Sequence, residues 1–350
     1  MNNATHHDTH HDTTHHDNAA HHDTKHPDTT YGAALNDALR QEMRRDDRVV
    51  LLGQDVGVYG GVFGVSSGLL DEFGPERVLD TPISENGIVG AAVGMAMSGL
   101  RPVVEMMYTD FMTLALDSIA NGAAVFPFAY GDQVRVPVVI RTQGGAGVNA
   151  GPQHSKSLEA WTAHLPGIHT VMPADPADAK GLLTSALRSD DPVVLVEHKL
   201  LYRTSGPVPQ GEHTVPLGTA RVVRPGTDVS VLALSRMVGE ALIAAERLAE
   251  EGIDAEVVDV RSLRPLDVAT LARSARATGR VVVATESWVR YGPSAEIAAA
   301  VTEAAFGALR APVVRLGSLG VPYPASPALE STVVPDAASI QQSVETLMKE

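Results

Sequence analysis

A chain of 350 residues is too long for one typical core, so two domains are expected. Its 44% apolar and 20% charged residues are the mix of a soluble globular protein. A net charge of −15 argues against nucleic acid and anionic membrane surfaces as partners, and the absence of cysteine excludes disulfides, thiolate metal sites and a cysteine nucleophile.

Residues 1–30 repeat a short unit: His6-His7-Asp8-Thr9, His10-His11-Asp12-Thr13, His15-His16-Asp17 and His21-His22-Asp23-Thr24. This tail holds nine of the fourteen histidines and almost nothing apolar, so it is expected to stay disordered, with adventitious Zn, Ni or Cu binding favoured over a biological metal role. From Tyr31 the pattern changes. Ala34, Leu35, Ala38, Leu39 and Met43 share one face of a helix over Tyr31–Arg45, and Val49–Leu52 reads as a short buried strand. The stretch Gly57–Gly64 has the wrong spacing for a nucleotide fingerprint and is expected to be a surface loop.

Arg77–Asp80 reads as a strand that Pro82 ends, and an Ala-, Gly- and Met-rich run after Ser84 reads as a closely packed helix. Glu85 therefore stands at a strand-to-helix switch, where open α/β sheets hold ligands and where the helix dipole favours an anion. Further on, Pro102–Met107 is expected as a strand, Asp110–Val125 as one helix and Val136–Arg141 as a strand. A glycine-rich loop, Gly144–His154, follows. It offers no visible packing partner, which makes His154 a candidate acid/base at neutral pH.

A helix over Ala160–Leu165, a strand over Thr170–Met172 and a helix over Asp175–Arg188 come next. Asp175 is placed as the cap of the last, with Pro176 in its first turn, and the buried strand Pro192–Glu197 closes the domain. Residues 204–222 lack periodicity and read as a linker. Strand–helix alternation then resumes: strands at Val229–Leu234, Ala255–Val260, Arg280–Thr285 and Pro312–Leu316, helices at Met237–Glu251, Val268–Ala275, Ser294–Leu309 and Ala337–Lys349. Such alternation builds parallel sheets covered by helices on both faces. The expected fold class is α/β: two doubly wound domains, 31–203 and 223–350, after the His-rich tail. The longest apolar run, Ile88–Leu100, is broken by glycines, no basic-then-apolar leader precedes the fold, and a cytoplasmic protein without a membrane partner is expected.

The run Asp80-Thr81-Pro82-Ile83-Ser84-Glu85 resembles the cofactor-activating segment of the β subunits of thiamine-diphosphate-dependent 2-oxo acid dehydrogenases (the E1 component), and the likeness extends from Tyr31 to the C-terminus. The resemblance implies a transketolase-like pyrimidine-binding domain followed by a transketolase-like C-terminal domain. It implies that Glu85 hydrogen-bonds the aminopyrimidine of the cofactor and has a carboxyl pKa raised by burial, that Ile83 and Phe111 line the same pocket, and that His154 of Gln153-His154-Ser155 is the catalytic acid/base. Asp117 matches an acid linking two active sites. A potassium ion is implied at backbone carbonyls of Val138, Ala186, Leu187, Ser189 and Asp191. The segment that would hold Mg²⁺ and the diphosphate, beginning Gly-Asp-Gly, has no counterpart: Gly131-Asp132-Gln133 lacks the third glycine. A separate α subunit is therefore expected to supply that half, in an α2β2 heterotetramer that serves a lipoyl-bearing E2 core. Gln54 replaces an acid and Val125 a lysine of the usual pattern. The segment Glu197–Arg203 is similar to those of both branched-chain 2-oxo acid and acetoin enzymes, and pyruvate stays open. A split transketolase subunit and a non-catalytic docking subunit are the alternatives.

Overall fold

The computed structural model describes residues 26–349. The metal-binding and disorder expectations for residues 1–25 lie outside that range. Asp28–Thr30, expected to belong to the disordered tail, instead forms a strand antiparallel to Ser205–Pro207 inside the expected linker. Thr30 then caps the helix Tyr31–Arg45, its hydroxyl accepting from the amide of Ala33 at 3.2 Å.

The first domain is built on a seven-stranded sheet in the order Ser262–Arg264, His169–Val171, Val193–His198, Val139–Gly144, Arg101–Met106, Val49–Gly53, Val78–Asp80. All neighbours are parallel except the first pair. Successive residues of each strand face opposite layers. Leu51, Val103, Val139 and Val193 pack under the helices Tyr31–Arg45 and Pro176–Arg188. Leu52, Val104, Ile140 and Val194 pack against the helix Glu85–Met97 and, through Val258, Val260, Leu271 and Ile297, against the second domain.

The second domain has a five-stranded sheet in the order Val314–Ser318, Val281–Trp288, Val229–Ala233, Ala255–Asp259, Arg221–Arg224, with the last strand antiparallel. The two short antiparallel strands correct the expectation of purely parallel sheets. They also correct the domain boundary: Arg221–Arg224 starts inside the expected linker, and Ser262–Arg264 leaves the second domain to extend the first domain's sheet beside His169–Val171. One continuous apolar core joins the two halves.

A further difference concerns the helix expected over Asp110–Val125. It is broken into an α-turn at Thr109–Met112, a 3₁₀ turn at Thr113–Ala115, a π-helical segment at Ser118–Ala123 and a turn at Phe126–Ala129. Asn86, from the Glu85 helix, is the physical reason at the break. Its side-chain oxygen accepts from the Ser118 hydroxyl at 2.7 Å and from the Ser118 amide at 3.3 Å, engaging a donor that a regular helix would use internally. Among the described residues no single helix is long and apolar enough to cross a membrane.

Candidate active site

Six parallel strands of the first domain end on one edge, and the loops that leave three of them carry Ile83, Glu85, Phe111 and His154. The chain runs from Val49–Gly53 to the edge strand Val78–Asp80, then crosses back to Arg101–Met106 on the other side of Val49–Gly53. Connections therefore diverge between Val49–Gly53 and Arg101–Met106, which opens a crevice at the strand ends.

Gly57–Gly64 does not lie free on the surface at this crevice. Asp80, the last residue of the edge strand, accepts from the amides of Gly57 at 2.7 Å and Val58 at 3.2 Å. Gly57, Gly60 and Gly61 are buried, and Phe63 stacks on Tyr202 with ring centroids 4.5 Å apart. Loop and edge strand are thus one unit, and it delivers Ile83 and Glu85. Ile83 is 71% exposed and Glu85, the first residue of its helix, is half-buried. That corrects the expectation of a deeply buried carboxylate: this chain alone does not take Glu85 out of water.

On the other side of the crevice, the chain leaves Arg101–Met106 through Tyr108 to Phe111. Here the structure brings together residues far apart in sequence. The His154 ring lies edge-on to Phe111, with centroids 5.3 Å apart, and to Tyr108 at 5.6 Å. Glu85 joins this group indirectly, because its neighbour Asn86 bonds Ser118 on the segment that Phe111 begins. Asp117, one residue earlier, is exposed and accepts from the side-chain amide of Asn121 at 2.7 Å. Gln54 is half-buried at the start of the Gly57 loop, and Val125 is exposed beyond the π-helical segment.

The loop that carries His154 is firmly seated, contrary to the expectation that it lacks a packing partner. Gly144, Gly145 and Ala146 are buried. Gly145 has φ +87°, and a Cβ there would strike the His198 imidazole; at Gly147 it would strike Leu200. Glycine is needed because the loop lies directly on His198–Leu200, not because the loop is loose. Ala146 also packs with Tyr323 and Val333 of the second domain, and its amide donates to the buried carboxylate of Glu286. Glu286 accepts from His198 as well, at 2.8 Å. Burial alone would raise the Glu286 carboxyl, but His198, the Ala146 amide and Arg236 together hold it down at about 2. Farther along, the Asn149 amide donates to Glu330 at 3.2 Å, Thr109 donates to the Lys156 carbonyl at 2.8 Å, and the Lys156 ammonium pairs with Asp110 at 2.7 Å. No local signal in the sequence marks Tyr108, Lys199 or Glu286. Only the fold places a strand end from residue 198 and a second-domain acid beside a loop at residue 146.

Beneath the crevice Arg141 is fully buried between two acids. It makes a two-pronged contact with Glu197 at 2.7 and 2.9 Å and reaches Glu105 at 2.8 Å. Tyr202 adds a phenol hydrogen bond to Glu197. Burial pushes the Glu105 carboxyl up, Arg141 opposing, and burial together with the Glu197 charge pushes the Tyr202 phenol up.

The turn expected to bind potassium is arranged otherwise. The Val138 carbonyl accepts from the Val193 amide at 2.9 Å and that of Ala186 from the Ser189 amide at 3.1 Å. Those of Leu187 and Ser189 both accept from the guanidinium of Arg101, which also pairs with Asp190 at 3.0 Å. Asp191 is exposed, 3.4 Å from His169. A side-chain cation already lies against this helix end.

Comparison with known proteins agrees with this architecture. Residues 28–205 match the transketolase pyrimidine-binding domain and residues 218–340 the transketolase C-terminal domain. The β subunit of acetoin:2,6-dichlorophenolindophenol oxidoreductase from Cupriavidus necator is 44% identical over 90% of this chain and 96% of that protein. The mitochondrial pyruvate dehydrogenase E1 component subunit beta-2 of Oryza sativa subsp. japonica is 46% identical over 89% of this chain and 84% of its own length. Among solved structures, a split-gene transketolase described as an inactive β4 tetramer superposes with a TM-score of 0.74 at 26% identity, over 91% of this chain and 98% of that one. Two transketolase domains joined through one core, with a histidine loop and a glutamate helix at the same sheet edge, belong to a chain of the thiamine-dependent E1 β-subunit family, the pyruvate and acetoin dehydrogenase type.

Proposed function

We propose that this chain is the β subunit of a cytoplasmic E1 component that oxidatively decarboxylates a small 2-oxo acid, pyruvate in the first instance, and passes the acyl group to a lipoyl-bearing E2 core. It would do so as half of an α2β2 heterotetramer. The observation that carries this reading is the meeting of His154 with Phe111, 43 positions apart, on the sheet edge that also bears Glu85.

The residues present fit the pyrimidine half of thiamine diphosphate. A half-exposed carboxylate begins a helix, an apolar side chain stands bare beside it, and an aromatic ring leaves the strand two spacings away, about 10 Å across the crevice. Glu85 would hold the ring nitrogen through its carboxyl, with Ile83 and Phe111 as apolar walls. When bound, the cofactor supplies the electron sink for breaking the bond next to the carbonyl. His154, edge-on to the rings of Tyr108 and Phe111, would give or take a proton at its imidazole. Mg²⁺ and the diphosphate are assigned to the α subunit, because this chain lacks the segment that would bind them. Val58, Tyr59 and Ile83 are exposed on one side of the crevice, and a partner covering them would supply the dry surroundings that Glu85 lacks here.

Acetoin cleavage is a second reading, favoured by the Cupriavidus relative, which this chain matches over 96% of its length. The test mixes the chain with a candidate α subunit, thiamine diphosphate and Mg²⁺. Dye reduction is then followed with pyruvate, 2-oxoisovalerate and acetoin. Turnover on pyruvate is expected, with a loss of about 100-fold or more in Glu85→Gln, the scale of a lost proton-handling group. Failure on all three substrates would leave the docking-subunit and split-transketolase readings, and a Glu85→Gln protein at wild-type rate would remove Glu85 from the mechanism.

A further inference from the structure

We infer that Lys199 is a positioning residue: it fixes His154 in the orientation the active site requires, by gripping the histidine's own carbonyl. This rests on the reading of His154 as the acid/base.

An ammonium group is costly to bury unless it is paired and hydrogen-bonded. Lys199 is nonetheless 7% exposed, and burial lowers its pKa, with Asp110, Glu286 and Glu330 opposing. Its position explains why the cost is tolerated. The ammonium donates to the backbone carbonyl of His154 and lies 5.0 Å from the centre of the Tyr108 ring. Tyr108 in turn meets the edge of the His154 ring at 5.6 Å and tilts against Phe111 at 6.4 Å. One cation thus holds both the backbone of the histidine and the ring that limits its rotation, and the contact with the ring face is attractive in itself.

The other fastenings of the loop act elsewhere. Glu286 holds Ala146 at the start of the loop, Glu330 holds Asn149, and Thr109 and Asp110 hold Lys156 past its end. Between Asn149 and Lys156 the backbone turns at Gly151, whose carbonyl accepts from the His154 amide at 3.2 Å. Lys199 comes from the end of the strand Val193–His198, directly after the His198 that abuts Gly145. His198, the last residue of the strand, and Lys199, the first of the turn after it, therefore set the beginning of the loop and the position of His154. A neutral side chain of similar length would fill the same space but would leave the His154 carbonyl without this donor. Methionine does that, while arginine keeps a donor and a charge.

The test uses Lys199→Met, Lys199→Arg and a His154→Ala reference. Each is reconstituted with α subunit, thiamine diphosphate and Mg²⁺. A parallel arm measures carbethoxylation of His154 by diethyl pyrocarbonate in the chain alone, read by peptide mapping. Lys199→Met should lose 10- to 100-fold in kcat, the scale of a reacting group misplaced by about 1 Å, with KM for the 2-oxo acid changed less than threefold. Lys199→Arg should recover at least part of that loss. Carbethoxylation of His154 should be at least threefold faster in Lys199→Met than in wild type, because the ring is no longer held between Tyr108 and Phe111. A purely structural lysine would lower the melting temperature without this split and without arginine rescue. If His154→Ala is impaired while Lys199→Met turns over and reacts like wild type, the inference is wrong and the active-site reading stands. If His154→Ala is as active as wild type, the reading of His154 falls and the inference falls with it.

Discussion

Glu159 gives the sharpest test of how this fold handles charge beside the His154 loop. It begins the helix Glu159–Ala163, directly after the loop that carries His154, and is almost wholly buried against the second domain. Ser287 donates to one of its carboxyl oxygens, and the other has no partner among the described residues. Burial raises its pKa from 4.5 to about 6, with the Ser287 hydrogen bond opposing and the Glu286 charge adding to the rise. The folded chain therefore holds this proton more tightly than the unfolded chain does. Stability from that preference is present in full below pH 4.5 and is lost as pH rises through about 6. In Glu159→Gln nothing titrates, and the amide keeps an oxygen for Ser287. The stability of the variant relative to wild type should then improve by about 1.5 kcal/mol between pH 4.5 and pH 7.5, since a tenfold difference in proton affinity between folded and unfolded chain is worth about 1.4 kcal/mol. The new amide hydrogens add an offset through their own satisfaction, but that offset does not depend on pH. Urea unfolding of both proteins at several pH values measures the difference directly. Parallel stability curves would refute the reasoning, because they would mean that the fold does not favour the protonated acid.

Further substitutions test neighbouring parts of the fold. Arg141→Met leaves Glu105 and Glu197 buried together without their shared cation, and should cost about 3–5 kcal/mol in unfolding free energy at neutral pH. Adding Glu197→Gln should restore part of the loss, and a single-variant loss below about 1 kcal/mol would show that the network is not a buried ion pair. Gly145→Ala combines a φ of +87° with a clash against His198, so turnover should fall toward that of a His154 variant. Gly131→Ala, at φ +58° but facing open space, should cost only about 1 kcal/mol and leave the rate unchanged. Equal behaviour of the two alanine variants in steady-state assays would mean that the His198 contact does not hold the loop.

Local pattern is readable wherever a segment's partners lie within the segment itself. Tyr31–Arg45 is helical over the expected span because its apolar face, its Thr30 cap and its basic last turn agree. Legibility fails where a distant residue decides. Asn86 breaks the helix expected over Asp110–Val125, and the strand Ser262–Arg264 is three residues long, pairing with His169–Val171 some ninety positions earlier. The candidate site divides in the same way. Glu85, Phe111 and His154 are marked by a short motif and its resemblance, but the reason the His154 loop is rich in glycine is hidden from the sequence. Many glycines look like slack there, whereas in the fold Gly145 and Gly147 mark where His198 and Leu200 press closest. Sequence also cannot distinguish an acid buried by its own chain from one awaiting a cover. Glu85 is half-exposed and Ile83 bare, while the acids beneath them, Glu105 and Glu197, are buried and paired. Under the proposed function, a carboxylate left open above a sealed ionic foundation is the arrangement expected of half a site: the foundation must hold in the lone chain, and the working surface would need to be dry only once a second chain closed over it.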